Sequence, residues 1–176
     1  MKKPAAVPKI ASLAELLAAA YRIEADAVER YELLADQMET HNNPELMAVF
    51  RDLARAEGIH RDEIRRMAGD IDVVAEAERM ARWGRGDSTE EVEIDQISYL
   101  MTPWHALELA LAGEERALAF FQSVAAGAKD RKIKEMAEEF VEEEAEHVNL
   151  VHRLLRKYPK PEETWAQDPD PPAAQE

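Results

Sequence analysis

One short pattern occurs twice in the 176 residues: Glu57-x-x-His60 and Glu144-x-x-His147. Residues three apart on a helix lie on one face, so each pair can offer a carboxylate and an imidazole to a single point. Two further acids, Glu24 and Glu114, sit in otherwise apolar surroundings. Carboxylate oxygen and imidazole nitrogen together suit divalent iron or manganese. Six side chains of this kind at one place would hold a pair of ions. The absence of cysteine excludes thiolate zinc sites, iron–sulfur ligation, disulfides and thiol nucleophiles together.

The elements that must position these six residues are helices. Start signals are explicit: Ser12-x-x-Glu15 reads as a capping box, and Asn43-Pro44 and Thr102-Pro103 each put a capping side chain before a proline at the first helical position. Asp130 follows the break at Gly127, while Pro159 and Pro161 stop the last element. The spacing predicts helices over 12–39, 44–68, 103–126 and 130–157, giving an all-α, antiparallel four-helix bundle. Short connections make two hairpins. The longer segment 69–102, with a helical piece over 73–83, can cross the bundle from the second helix to the third.

Each long helix carries an apolar stripe with alternating steps of three and four. The first runs Leu17, Ala20, Glu24, Ala27, Tyr31, Leu34, Met38, and the second Leu46, Phe50, Leu53, Glu57, His60, Ile64, Met67. The third runs Leu107, Ala110, Glu114, Ala117, Phe121, Val124, and the fourth Ile133, Ala137, Phe140, Glu144, His147, Val151, Leu154. Every stripe is interrupted by glutamate near its middle, and antiparallel helices bring their midpoints to one level. No Lys or Arg falls on any stripe, so four buried carboxylates are expected to lack a cationic side chain. Ionised carboxylates in an apolar interior each cost several kcal/mol unless neutralised. Two divalent cations would cancel them, and neutral imidazoles would complete the coordination.

Other candidates are weaker. His41, His105 and His152 are expected in solvent, as are Glu142 and Glu143; Glu115 points about a third of a turn from Glu114. Tyr31 lies two turns beyond Glu24, so it either packs in the core or donates a hydrogen bond to a ligand carboxylate. It is the one candidate for assisting the chemistry. Phe121, at the matching position of the third helix, can only pack.

The remaining composition bounds the partners. A formal charge of −15 argues against nucleic acid and anionic membranes. No run of eighteen apolar residues offers a membrane span, and Met1–Ile10 does not lead into a secretory signal, so a cytoplasmic protein is expected. Residues 1–11 read as an extension and 158–176, rich in proline, as a tail that Trp165 could pin down; the bundle itself covers 12–157.

Over that span the sequence resembles the rubrerythrin branch of the ferritin-like superfamily, through Glu24-x-x-Ala27-x-x-x-Tyr31, Glu57-x-x-His60, Ala112-Gly113-Glu114 and Glu144-x-x-His147. The resemblance implies a di-iron centre bridged by Glu57 and Glu144, with Glu24, Glu114, His60 and His147 as terminal ligands. It implies an oxidoreductase acting on peroxide or dioxygen with an external electron-donor protein, and a homodimer. The same ligands admit a ferroxidase with Fe(II) as substrate, or a manganese pair in a catalase-like enzyme. A metal-free structural bundle is the reading from outside enzymology. Two departures separate the chain from rubrerythrins proper. Ala117 stands where they carry a further acid, and there is no Cys-x-x-Cys rubredoxin-type site.

Overall fold

The computed structural model describes residues 9–82 and 101–162. Within them lie five helices and no strands: α1 (Leu13–Thr40), α2 (Pro44–Ala68), α3 (Val73–Arg82), α4 (Pro103–Gly127) and α5 (Arg131–Leu155). The last residue of the expected helical piece over 73–83, Trp165 and most of both terminal segments lie outside the described residues.

The helix starts follow from their caps. Ser12 Oγ accepts from the Glu15 amide at 3.1 Å, and Glu15 Oε2 returns a bond to the Ala11 amide at 2.8 Å. Asn43 Oδ1 accepts from Leu46 N–H at 3.0 Å, and Asp130 Oδ1 accepts from Lys132 N–H at 2.8 Å and Ile133 N–H at 3.2 Å. Each cap satisfies amides that have no partner inside their own helix. The α1–α2 turn is tightened by Asn42 at φ 53°, a left-handed conformation that asparagine tolerates. Helix α5 ends at Leu155, before the two prolines, because the chain closes its last turn with Lys157 and Tyr158 donating to the carbonyls of Leu154 and Leu155.

The apolar residues form two separate clusters. One gathers Tyr31 to Met38 of α1, Leu46 to Ala54 of α2, Ala106 to Leu111 of α4 and Val151 and Leu154 of α5. The other gathers Leu16 to Ala20 of α1, Ile64 and Ala68 of α2, Phe121 and Val124 of α4 and Ile133 to Phe140 of α5. Helix α1 therefore runs from the second cluster to the first, α2 returns, α4 runs in the same direction as α2, and α5 returns again. Two successive long helices that run parallel, α2 and α4, require a connection that traverses the bundle, which is the ferritin-like topology. Part of that connection is α3, which packs on α1 and places Arg79 3.7 Å from Glu15.

One stripe residue departs from expectation. Met67 is 52% exposed, because α2 ends one residue later and Ala68 turns inward in its place. None of the described helices is long and apolar enough to cross a membrane.

Candidate metal centre

Between the two apolar clusters lies a polar layer. Glu24, Glu57, Glu114 and Glu144 come from four different helices, and all are between 1% and 4% exposed. Their positions along α1, α2, α4 and α5 fall where each helix passes from one cluster to the other, so the antiparallel packing itself sets their common depth. His60 and His147 lie at the edge of the layer, half-buried, with rings stacked 5.5 Å apart and inclined by only 9°.

His147 is the hub. Its Nδ1 lies 3.1 Å from Glu57 Oε1, 3.5 Å from Glu114 Oε2 and 3.9 Å from Glu144 Oε2. His60 Nδ1 is 3.5 Å from the other oxygen of Glu57. Two groups thus have donor atoms mutually within 4.8 Å: Glu57, His60 and His147, and Glu114, Glu144 and His147. Glu24 belongs to neither group and lies against Glu57. His147 therefore stands nearer the glutamate of α2 than that of its own helix.

The donor atoms themselves fit a metal pair. Both carboxylate oxygens of Glu57, Nδ1 of His60 and Nδ1 of His147 are buried without any hydrogen-bond partner. Buried polar atoms left unpaired each cost about 1–3 kcal/mol. Four of them converging on one region, all lone-pair donors when imidazole is neutral, match the demands of cation coordination.

Charge in this layer is arranged accordingly. Burial pushes Glu24 well above the ordinary carboxylate range, with the charge of Glu57 adding to the effect. Burial, then repulsion from Glu114 and Glu57, raises Glu144 to about 9. Burial would raise Glu57 too, but the imidazoles of His147 and His60 outweigh it and hold that carboxyl low. For His147 burial opposes the charge, yet interactions with Glu114 and Glu57 raise it to about 11; His60 is raised by Glu57. In the absence of cations, protons neutralise the layer: on Glu144, and on the imidazoles that face Glu57. These are the positions that cations would take over.

One feature overturns the expectation that no cationic side chain reaches the carboxylates. Arg30, on α1 next to Tyr31, is only 4% exposed and places Nη2 3.3 Å from Glu114 Oε1. The stripe pattern missed it because residue 30 flanks the seam, and its guanidinium enters the core only across Gly113 of α4. The hydroxyl of Tyr31 donates to the same Glu114 oxygen, so Tyr31 reaches across to α4 while its ring stacks 5.9 Å from Phe50. Phe121 packs against Phe140 at 4.8 Å.

The other histidines divide. His152 is exposed, 4.0 Å from the exposed Glu115, while His41, expected in solvent, is only partly exposed beside Gln37 at the α1 terminus. His105, expected in solvent, is half-buried instead: its Nδ1 is 2.8 Å from Thr102 Oγ1 and Trp104 stands edge-on to its ring, and burial lowers its proton affinity. Glu142 is exposed as expected. Glu143 is also largely exposed, but partial burial raises its carboxyl, and His60 and His147 lie near enough to oppose that.

Comparison with known proteins agrees with this architecture. The rubrerythrin family model matches residues 15–101 and 105–172. The crystal structure of an uncharacterized conserved protein from Magnetospirillum magnetotacticum MS-1 superposes with a TM-score of 0.68 at 37% identity, covering 86% of this chain and 98% of that one. No curated protein matches. With the bundle topology, the mid-core carboxylate layer and the family match across nearly the whole described length, this chain belongs to the rubrerythrin family of ferritin-like proteins.

Proposed function

We propose that the chain is a di-metal oxidoreductase that holds two iron ions and reduces peroxide or dioxygen with electrons from an external donor protein. The observation that carries this reading is the set of unpaired buried donors, Glu57 Oε1 and Oε2, His60 Nδ1 and His147 Nδ1, facing one another inside the bundle. Glu57 and Glu144 would be the carboxylates shared by the pair, with Glu24, Glu114, His60 and His147 completing the set of ligands.

Two adjacent irons would supply two one-electron couples, matching the two electrons that peroxide needs. The protein's own part is positional. The apolar clusters on either side exclude water from the layer. Arg30 and Tyr31 fix Glu114. The partly exposed edge formed by His60 and His147 is where a small substrate could enter and a proton could be passed. These 176 residues contain no cysteine to build a rubredoxin-type centre, so the electrons would come from outside them. A homodimer is part of the same proposal.

The test is metal analysis of protein purified without added metal, followed by anaerobic reduction and addition of hydrogen peroxide. The expected result is two irons per chain and stoichiometric peroxide consumption, abolished in Glu57→Ala and His147→Ala. Full activity in both variants would end the proposal. Iron accumulating well beyond two per chain would favour the ferroxidase reading, and native manganese the catalase-like one.

A further inference from the structure

The two oxygens of Glu114 are used differently. Oε1 receives both Nη2 of Arg30, at 3.3 Å, and the hydroxyl of Tyr31. Oε2 faces the layer, 3.5 Å from His147 Nδ1. Glu57 offers the contrast, since its oxygens face the candidate ligands His147, at 3.1 Å, and His60, at 3.5 Å, and no side chain from outside the layer holds either one. A charge-assisted bond from a guanidinium and a second bond from a phenol together tie up one oxygen firmly.

The arrangement depends on a notch. Gly113, immediately before Glu114, is buried on α4, and an ideal Cβ there would lie 2.7 Å from Nη2 of Arg30 and nearer still to its Cζ and Nη1. Real Cβ atoms do not approach that closely, so any residue other than glycine would displace the guanidinium. The glycine stands mid-helix, where it costs roughly 1 kcal/mol relative to alanine. Its backbone needs no special freedom; the space is what Arg30 occupies.

We propose that Arg30, seated over Gly113 and aided by Tyr31, is a positioning residue that restricts Glu114 to binding a metal through Oε2 alone. A carboxylate free to chelate would fill two coordination positions on one ion. Held in this way it fills one, and the position left over is available to water or to a small anionic ligand. Arg30 thereby acts on substrate access without touching substrate. The inference rests on the metal-pair reading above, and the experiment separates the two.

Metal-free protein is titrated with cobalt(II), whose visible absorption weakens as its coordination number rises, and then with sodium azide as the small anion. Wild-type protein is expected to bind two cobalt ions per chain, with a spectrum that azide alters. Arg30→Met removes the donor while keeping an unbranched stem, and Gly113→Ala expels the guanidinium without removing it. Both variants are expected to retain two cobalt ions, absorb more weakly and bind azide about tenfold less tightly or worse, the range typical when a group supporting a ligand is lost. Circular dichroism checks folding, and Arg30→Lys, which adds no volume and returns a charged donor, is expected to fall in between. Two cobalt ions with wild-type absorption and azide affinity in the variants would overturn the role of Arg30 alone. Loss of cobalt from the variants would also overturn it, since Arg30 would then be needed to present Glu114 at all. Wild-type protein that takes up no cobalt would overturn the metal-pair reading itself.

Discussion

Loading the centre should expel protons in a number that the structure sets. Without cations the layer is held neutral by protons on groups that cannot coordinate while they carry them. Glu144, at about 9, and His147, at about 11, both hold a proton at a working pH of about 7.5. Glu24 and His60 are shifted in the same direction and can add to the count. Each proton released makes the apparent affinity for the metal pair rise about tenfold per pH unit, so two protons give on the order of a hundredfold per unit. Calorimetric titration of metal-free protein with iron(II) under anaerobic conditions, repeated in buffers of different ionisation enthalpy, counts the protons directly. About two or more per chain are expected. Release of fewer than one would refute the reasoning, because the carboxylates would then already be ionised in the core, or the metal would be binding elsewhere. The variant His147→Gln should lower the count by about one, since that proton then has no site.

Three further outcomes follow from the same residues. The metal-free protein should lose stability as pH rises. His147, raised from 6.5 to about 11, contributes fully below 6.5 and loses that contribution towards 11, while Glu144 acts in the same sense between 4.5 and about 9. Between 6.5 and 9 both operate, at up to roughly 1.4 kcal/mol per pH unit each, and urea melts of chelator-treated protein across that window should show the decline. Phe121→Ala, at a position 0% exposed, should cost about 3–5 kcal/mol in thermal unfolding while leaving the metal stoichiometry unchanged. Asn43→Ala removes the acceptor for the Leu46 amide at the start of α2 and should cost about 1 kcal/mol by the same measurement.

The fold was legible in the sequence because its signals are redundant. Four stripes, four capping side chains before helix starts and an interrupting glutamate in each stripe all indicate the same bundle, and the helix bounds agree to within two residues at each end. The carboxylate layer was legible for the same reason: a glutamate at the midpoint of an apolar stripe has nowhere else to go when the helices pack. What escaped was whatever depended on a second helix. Arg30 stands beside Tyr31 and would ordinarily extend into solvent; its burial is decided by the missing side chain at Gly113, eighty-three positions later. The shared role of His147 escaped likewise, since a three-residue spacing ties it to Glu144 but cannot show that α5 leans it towards Glu57. His105 was misjudged because Thr102 is at once a helix cap and its hydrogen-bond partner.

The polar layer divides the bundle interior into two oily halves, each assembled from all four long helices. A helix ordinarily frays from its ends, and its centre is the last part to open. Here the ends are fastened by the two oily halves, while the cross-section at half height is held by ionic contacts. Deprived of its ions, the molecule should therefore breathe at the waist: amides flanking Glu24, Glu57, Glu114 and Glu144 would exchange with solvent sooner than those beside Leu34 or Phe140. Restoring the ions would turn that waist into a rivet joining both hairpins.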